Sequence, residues 1–288
     1  MKSVLVTGVN GQLGCCIKEA ASKHPNLTFT FVAKDVLDID DAEAISEFFR
    51  KNSFDYCINT AAYTNVEKAE SEPKKAFKTN AEAVKNIAFA CKENEVILIH
   101  ISTDYVFDGT SNKPYTEEDT PNPINVYGAS KLLGEQHIKD TIDHYFIFRT
   151  SWLYSQYGHN FFNTILKYVK VEKPLTITTE QTGTPTNAND LAEATLEVIA
   201  SESTEYGVYN YCNLGVATWY DFAEIILENS KQIDKATLVK TNHYRTFAPR
   251  PKYSVLNTSK FCSVFNLNAI DWKESLYVLM KNINILKN

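Results

Sequence analysis

Arginine is scarce in this chain, with four among 288 residues, and the 29 basic side chains are outnumbered by 35 acidic ones for a net charge of -6. A dedicated nucleic-acid binder usually carries a basic excess, so the balance argues against that class. It leaves room for anionic small ligands, which a few local donors can hold. Long apolar runs are missing too. No stretch approaches the ~20 apolar residues that span a bilayer. The run near the start, Val4-Leu5-Val6, is far shorter than the ~7–15 residue core of a secretory signal. A cytoplasmic protein with no membrane and no nucleic-acid partner is expected. Six cysteines, at 15, 16, 57, 91, 212 and 262, form no CxxC pair and have no zinc-ligand spacing. They read as small core residues in a reducing compartment, and no metal is expected. Internal repeats and low-complexity segments are also lacking.

What is present is apolar substance: 44% of the residues are hydrophobic, too many for a disordered chain. The length suits one or two domains. Apolar runs of strand type at 3–7, 27–33, 55–59, 96–101 and 145–149 alternate with helical patterns at 12–23, 41–52, 73–94 and 125–140. Strands separated by helices predict right-handed crossovers and a parallel sheet. The near-continuous hydrophobicity of the strands says that helices cover both faces. The expected fold is α/β, a doubly wound parallel sheet of Rossmann type, with a smaller mixed α/β C-terminal domain. Beyond residue 150 the pattern loosens. Helices are expected at 160–171, 190–201, 219–229 and 271–286, with strands at 207–212 and 236–240. The expected division is 1–151 for a dinucleotide and 152–288 mainly for a substrate, with part of 185–230 packing back on the first domain.

Three of only 10 glycines stand three apart in Thr7-Gly8-Val9-Asn10-Gly11-Gln12-Leu13-Gly14, directly after the first strand. In a strand-to-helix turn, Gly8 permits the tight turn, Gly11 lets backbone approach a pyrophosphate, and Gly14 lets the helix pack closely. The helix N-terminus then offers N–H groups and a partial positive charge to the phosphates. An acid about 20 residues further on would favour NAD by holding the ribose 2′-hydroxyl. Lys34 falls there instead, with Asp35 and Asp38 beyond. Either NADPH or NADH is admitted, with a lean to NADPH.

Tyr127 and Lys131 lie four apart in YGASK, which on a helix puts both side chains on one face. An ammonium so placed is expected to lower the phenol pKa from its usual ~10 and make the tyrosine a proton donor near neutral pH. With 16 tyrosines the pattern is cheap, and it recurs at Tyr277 and Lys281. Context separates the two. Tyr127 follows Ser102-Thr103-Asp104-Tyr105 at the end of the fourth strand, where ligands of doubly wound sheets bind. Tyr277 lies in the last expected helix with no partner motif and reads as a structural residue.

These segments resemble the extended short-chain dehydrogenase/reductases, and within them the nucleotide-sugar reductases. The resemblance is carried by TGVNGQLG (7–14), LDIDD (37–41), NTAAYTNVEKAESEP (59–73), STDYVFDG (102–109), NVYGASKLLGE (125–135), RTSWLY (149–154), QTGTPT (181–186) and the weaker APRPKYSVL (248–256). It spans nearly the whole chain and implies the following roles. Gly11, Gln12 and Leu13 would hold the cofactor phosphates, Asp38 and Ile39 would border the adenine, and Ala62, Tyr63 and Thr64 would line the middle of the cofactor. Tyr127 would be the proton donor, Lys131 would bind the nicotinamide ribose and tune Tyr127, and Thr103 would bond the C4 oxygen of the sugar. Thr103, Asp104, Tyr105 and Trp152 would contact a nucleotide sugar. The implied reaction is hydride delivery to C4 of dTDP-4-dehydro-β-L-rhamnose to give dTDP-β-L-rhamnose. A homodimer is one assembly the resemblance admits.

Plainer readings stand beside these. Thr103 is also a strand-end hydroxyl that can satisfy backbone, and Asp104 a turn cap. Trp152, Tyr63 and Tyr105 are also candidates for packing. Arg250, between Pro249 and Pro251, is a fork-shaped donor that suits a substrate pyrophosphate or a structural ion pair. An epimerase or dehydratase on the same fold is an alternative, although a dehydratase should carry Asp-Glu after the threonine and Asp104 is followed by Tyr105. A non-catalytic regulatory subunit is the other alternative, against which Thr103, Tyr127 and Lys131 all speak.

Overall fold

The computed structural model describes residues 1–168, 174–232, 237–242 and 244–286. Its centre is a sheet of six strands: β1 (Lys2–Thr7), β2 (Leu27–Val32), β3 (Tyr56–Asn59), β4 (Ile97–Thr103), β5 (Tyr145–Thr150) and β6 (Gly207–Asn210). Their order is β2-β1-β3-β4-β5-β6, and every neighbouring pair is parallel. The expected doubly wound sheet is therefore present.

Eleven α-helices are described: α1 (Gln12–Ala20), α2 (Ala42–Lys51), α3 (Val66–Ser71), α4 (Pro73–Phe77), α5 (Ala83–Glu93), α6 (Val126–Thr141), α7 (Phe161–Tyr168), α8 (Ala188–Ala200), α9 (Trp219–Asn229), α10 (Ser259–Phe265) and α11 (Trp272–Asn282). Alternate strand residues serve opposite faces, as the pleat requires. Val4, Val6, Ile58 and Phe148 pack with α1, α8 and α10. Leu5, Cys57, Leu98 and Ile147 pack with α2, α5 and α6. A third core joins α7, α9 and α11 in the second half. Within 185–230, α8 packs on α1 and β6 extends the sheet beside β5. Cys16, Cys57, Cys91 and Cys212 are buried, and all six cysteines are free thiols.

From β1 the chain steps outward to β2 and then returns to the other side of β1 as β3. Crossovers thus leave in opposite directions at β1 and β3. Doubly wound sheets bind ligands outside the carboxyl ends of the strands at such a switch point.

Several elements differ from the sequence expectations. The single helix expected over 73–94 is interrupted by a π turn, Lys78–Glu82. Asn80, fully buried there, accepts from the Tyr63 N–H at 2.8 Å and donates to the Tyr63 carbonyl at 3.0 Å and to Ser130 Oγ at 3.0 Å. The π turn thus aims one amide side chain at the loop after β3, a local use typical of such bulges. The helix begun at 12 ends at Ala20 and tightens into a 3₁₀ turn. β4 continues to Thr103 rather than stopping at 101. The last helix is shorter than 271–286, starting after the Asp271 cap and ending at Asn282. The helix expected over 160–171 appears as α7, and its residues 169–171 lie outside the described ones. The strand expected from 236 appears at Leu238–Thr241, paired in parallel with Leu175–Thr178, and residue 236 lies outside the described ones.

Candidate active site

The first wall of the site is the turn between β1 and α1. Gly8 has φ +69°, and a Cβ there would stand 2.6 Å from the Ala61 nitrogen. A Cβ on Gly14 would stand 2.6 Å from both the Gly8 carbonyl oxygen and Val9 Cα. These two positions accept glycine only, one for conformation and space and the other for space. Gly11 is the N-cap of α1, no side chain caps that end, and the first turn carries no acid. The Gly11 N–H closes the turn on the Gly8 carbonyl at 2.9 Å, which leaves the amides of Gln12 and Leu13, both on the cleft wall, for a phosphate to accept from.

A cleft of about 950 Å³ runs along the carboxyl edge of the sheet. It brings together Gly8, Gly11, Gln12 and Leu13, then Asp38 and Ile39 after β2, and Ala62, Tyr63 and Thr64 after β3. Thr103, Asp104 and Tyr105 join from the end of β4, Tyr127 and Lys131 from α6, and Trp152 and Arg250 from the second half. Of the residues the resemblance and the glycine spacing assign to cofactor or substrate, Gly14 stands behind the wall rather than on it. The cradle of small residues, open helix end and long cleft fit a dinucleotide. Tyr277 and Lys281 are exposed on α11, away from this cleft.

α6 is fixed with care. Asn125 caps it by accepting from the Gly128 N–H at 2.7 Å, and donates to the Pro249 carbonyl at 2.9 Å. A Cβ on Gly128 would stand 2.1 Å from the Tyr105 carbonyl oxygen, so only glycine lets the helix seat against the turn after β4. The rings of Tyr105 and Tyr127 then meet edge-on at 5.9 Å. Behind them, Glu135 accepts from Ser102 Oγ at 2.5 Å and takes a two-pronged contact from Arg149, at 3.0 and 2.7 Å.

The electrostatics depart from the expectation for the Tyr–Lys pair. Burial raises the Tyr127 phenol above its ordinary pKa, opposed by a hydrogen bond with Thr103. Lys131 does not lower it, because its Nζ donates instead to the Ile101 carbonyl at 2.6 Å and lies 3.1 Å from His100 Nε2. Burial pushes Lys131 down to about 8, with Glu135 acting the other way. Tyr127 is therefore held as the protonated phenol. Asp104 is buried, and burial pushes it up to about 7, opposed by the nearby Ser254 and Thr103 hydroxyls. Thr103 Oγ1 donates to Asp104 Oδ1 at 3.0 Å, and Asp104 Oδ2 has no hydrogen-bond partner among the described residues.

Several contributors lay beyond sequence reasoning. Gln12 Nε2 donates to the Leu153 carbonyl at 3.2 Å while its Oε1 accepts from Asn160 at 3.2 Å, joining the glycine turn to the second half. Trp152 holds φ +43°, a left-handed conformation rare outside glycine. Its ring stacks on Trp219 with centroids 3.7 Å apart and planes at 7°. Both rings line the cleft. In the sequence Trp219 shows only as a helix start, because its stacking partner lies 67 positions earlier in the chain. Arg250 Nη2 donates to Glu67 at 2.8 Å and Nη1 to the Tyr105 hydroxyl at 3.3 Å, so the structural ion pair is formed, and its Nε is buried without a partner among the described residues. Lys34 pairs with Asp38 at 3.3 Å and Asp40 at 3.4 Å on the rim. No described helix is long and apolar enough to cross a membrane.

Residues 1–285 match the family model described as the RmlD substrate binding domain. The chain is 37% identical over 282 residues to the dTDP-4-dehydrorhamnose reductase of Escherichia coli (strain K12), covering 94% of each. It superposes on the crystal structure of a dTDP-4-dehydrorhamnose reductase from Clostridium acetobutylicum ATCC 824 with a TM-score of 0.92 at 37% identity, covering 98% of this chain and 99% of that one. A dTDP-4-dehydrorhamnose reductase from Bacillus anthracis str. Ames, solved in complex with NADP, gives 0.93 at 34% identity with the same coverage.

Proposed function

This chain belongs to the RmlD substrate binding domain family, and on that premise we propose that it reduces the C4 keto group of dTDP-4-dehydro-β-L-rhamnose. The reductant is NADPH or NADH, and the product is dTDP-β-L-rhamnose. The observation that carries this reading is the convergence of Thr103, Tyr127 and Lys131 in the same cleft as the open N-terminus of α1.

A bound nicotinamide supplies the hydride for C4. The chain supplies position, charge and a proton. Gln12 and Leu13 would present backbone N–H groups to the cofactor phosphates, while Gly11, whose own N–H bonds the Gly8 carbonyl at 2.9 Å, would let the backbone approach them, with Gly8 and Gly14 shaping the turn. Asp38 and Ile39 would border the adenine, and Ala62, Tyr63 and Thr64, which line the middle of the cleft, would flank the middle of the cofactor. The lean to NADPH rests on Lys34, a cation at the rim where a 2′-phosphate would lie.

Thr103 and Tyr127 offer hydroxyls to the C4 oxygen. As negative charge grows there, Tyr127 gives its proton to that oxygen, and the Lys131 ammonium offsets the charge left on the phenol. The raised pKa keeps the proton on Tyr127 in the resting site and makes it a weaker donor than the spacing predicts, so the transfer is drawn by the charge growing on the C4 oxygen. Asp104, Tyr105 and Trp152 contact the sugar nucleotide, and Arg250 faces its pyrophosphate from the cleft wall. The cytoplasmic location and a homodimer belong to the same proposal.

The test is a coupled assay with dTDP-4-dehydro-6-deoxyglucose and the upstream epimerase, following NADPH and NADH oxidation separately. Substrate-dependent oxidation is expected with at least one cofactor. None with either would remove the assignment.

A further inference from the structure

His100 takes no part in the chemistry above, yet it is the buried titratable group that faces Lys131. It sits in β4 within the apolar run VILIHI, with no exposed surface. Its Nε2 lies 3.1 Å from Lys131 Nζ and its Nδ1 3.2 Å from Asn59 Nδ2. Thr7 Oγ1 in turn donates to Asn59 Oδ1 at 2.7 Å. A line of side chains from β1, β3, β4 and α6 thus runs beneath the carboxyl edge of the sheet and ends on the lysine.

Donor counting fixes what this line does. An ammonium has three N–H donors and accepts nothing. Ile101 O takes one, and a second can go only to a lone pair on His100 Nε2. The third is left for the cleft. A neutral imidazole carries one proton. If Nε2 accepts from an ammonium, that proton is on Nδ1 and Asn59 must present Oδ1 to it. Asn59 as placed presents Nδ2, which accepts nothing. The ring proton then sits on Nε2 and points at Nζ, an arrangement that fits an uncharged amine. A half-turn of the Asn59 carboxamide exchanges the two arrangements, and the Thr7 hydroxyl can serve either. The imidazole holds one proton in both. Passing from the charged to the uncharged arrangement, the site as a whole releases one proton to solvent.

We propose that His100 is a positioning residue for Lys131, whose ring tautomer, set against Asn59, follows the charge of the lysine and holds its Nζ toward the cleft. Burial and the facing lysine both keep His100 well below its ordinary pKa, so the ring stays neutral while Lys131 titrates. The other groups around the pair are committed elsewhere. From α6, Glu135 is held by Ser102 and Arg149, and Tyr127 interacts with Thr103. From β5, the Arg149 guanidinium is spent on Glu135. From the turn after β4, Asp104 bonds Thr103. The role in turnover rests on the proposed reaction, since an uncharged Lys131 cannot offset the charge left on Tyr127.

The test uses the full chain without ligands. In ¹⁵N spectra, His100 should be the Nδ1–H tautomer below the Lys131 transition and the Nε2–H tautomer above it, without double protonation between. In ¹³Cε spectra of lysine, His100→Leu should lower the Lys131 midpoint by about one to two pH units, the size of one lost hydrogen bond to a charged group. His100→Gln, whose Oε1 keeps an acceptor near Nε2, should restore it. In turnover, the alkaline limb of kcat should move with the NMR midpoint. One tautomer throughout, a doubly protonated ring, or an unmoved midpoint in folded His100→Leu would overturn the proposal. If that variant does not fold, the wild-type tautomer and His100→Gln decide. The expected spectra with no sugar-nucleotide turnover would overturn the reaction instead and leave the positioning intact.

Discussion

Arg149 reaches from β5 to Glu135 on α6 with Nη2 2.7 Å from Oε2 and Nε 3.0 Å from Oε1, and both side chains are buried. This pair ties the helix bearing Tyr127 and Lys131 to the sheet. Removing one partner leaves the other charge buried and uncompensated, a loss of about 3–5 kcal/mol. Glu135→Gln should lower unfolding stability by an amount in that range, measured by denaturant titration at neutral pH. A change below about 1 kcal/mol, the size of an exposed pair, would show that this contact does not hold α6.

Tyr127 and Tyr277 share the same spacing to a lysine but not the same surroundings. Tyr127→Phe should lose at least ~10²-fold in kcat, the low end for a positioned acid, while the Kd for NADPH stays within a few-fold. Tyr277, half-exposed on α11, has no cleft to serve, so Tyr277→Phe should turn over at the wild-type rate. Equal rates for the two variants would remove Tyr127 from the mechanism.

Asp104 gives a pH dependence whose sign follows from its burial. Its carboxyl titrates near about 7 in the folded chain against an ordinary 3.8. Between those values the folded state binds more proton than the unfolded one, so stability falls as pH rises through that window. Asp104→Asn removes the titration. Its Tm should vary less than that of the wild type between pH 4.5 and 7.5, with the greater relative gain at the alkaline end. Parallel Tm profiles would show that Asp104 ionises normally in the folded protein.

Much of the site was legible because the chemistry sits in short, ordered segments. The glycines at 8, 11 and 14 follow a strand directly, and a strand-to-helix turn gives each a distinct need. Tyr127 stood apart from Tyr277 only through its order after Thr103. The rest depends on contacts between distant positions. The π turn at 78–82 leaves the helical pattern of 73–94 unbroken in sequence, and its purpose shows only when Asn80 meets Tyr63. His100 looks like one polar residue in a core strand until Lys131 from α6 lies beside it. Arg250 was open between ligand and ion pair, and its contact with Glu67, 183 positions away, could not be read from the Pro-Arg-Pro loop. The expected lowering of the Tyr127 phenol failed because spacing gives a shared helix face but not the direction of the lysine amine.

The central step is hydride transfer to a sugar C4, with Tyr127 supplying the proton. The most direct test is isotopic. The enzyme would be supplied with NADPH or NADH carrying deuterium at both C4 positions of the nicotinamide, together with the 4-dehydro sugar nucleotide. The product would be read by NMR and mass spectrometry. One deuterium per molecule at C4 of the deoxyhexose, with none elsewhere, is the predicted result. A converted product with only solvent hydrogen at C4 would contradict the account.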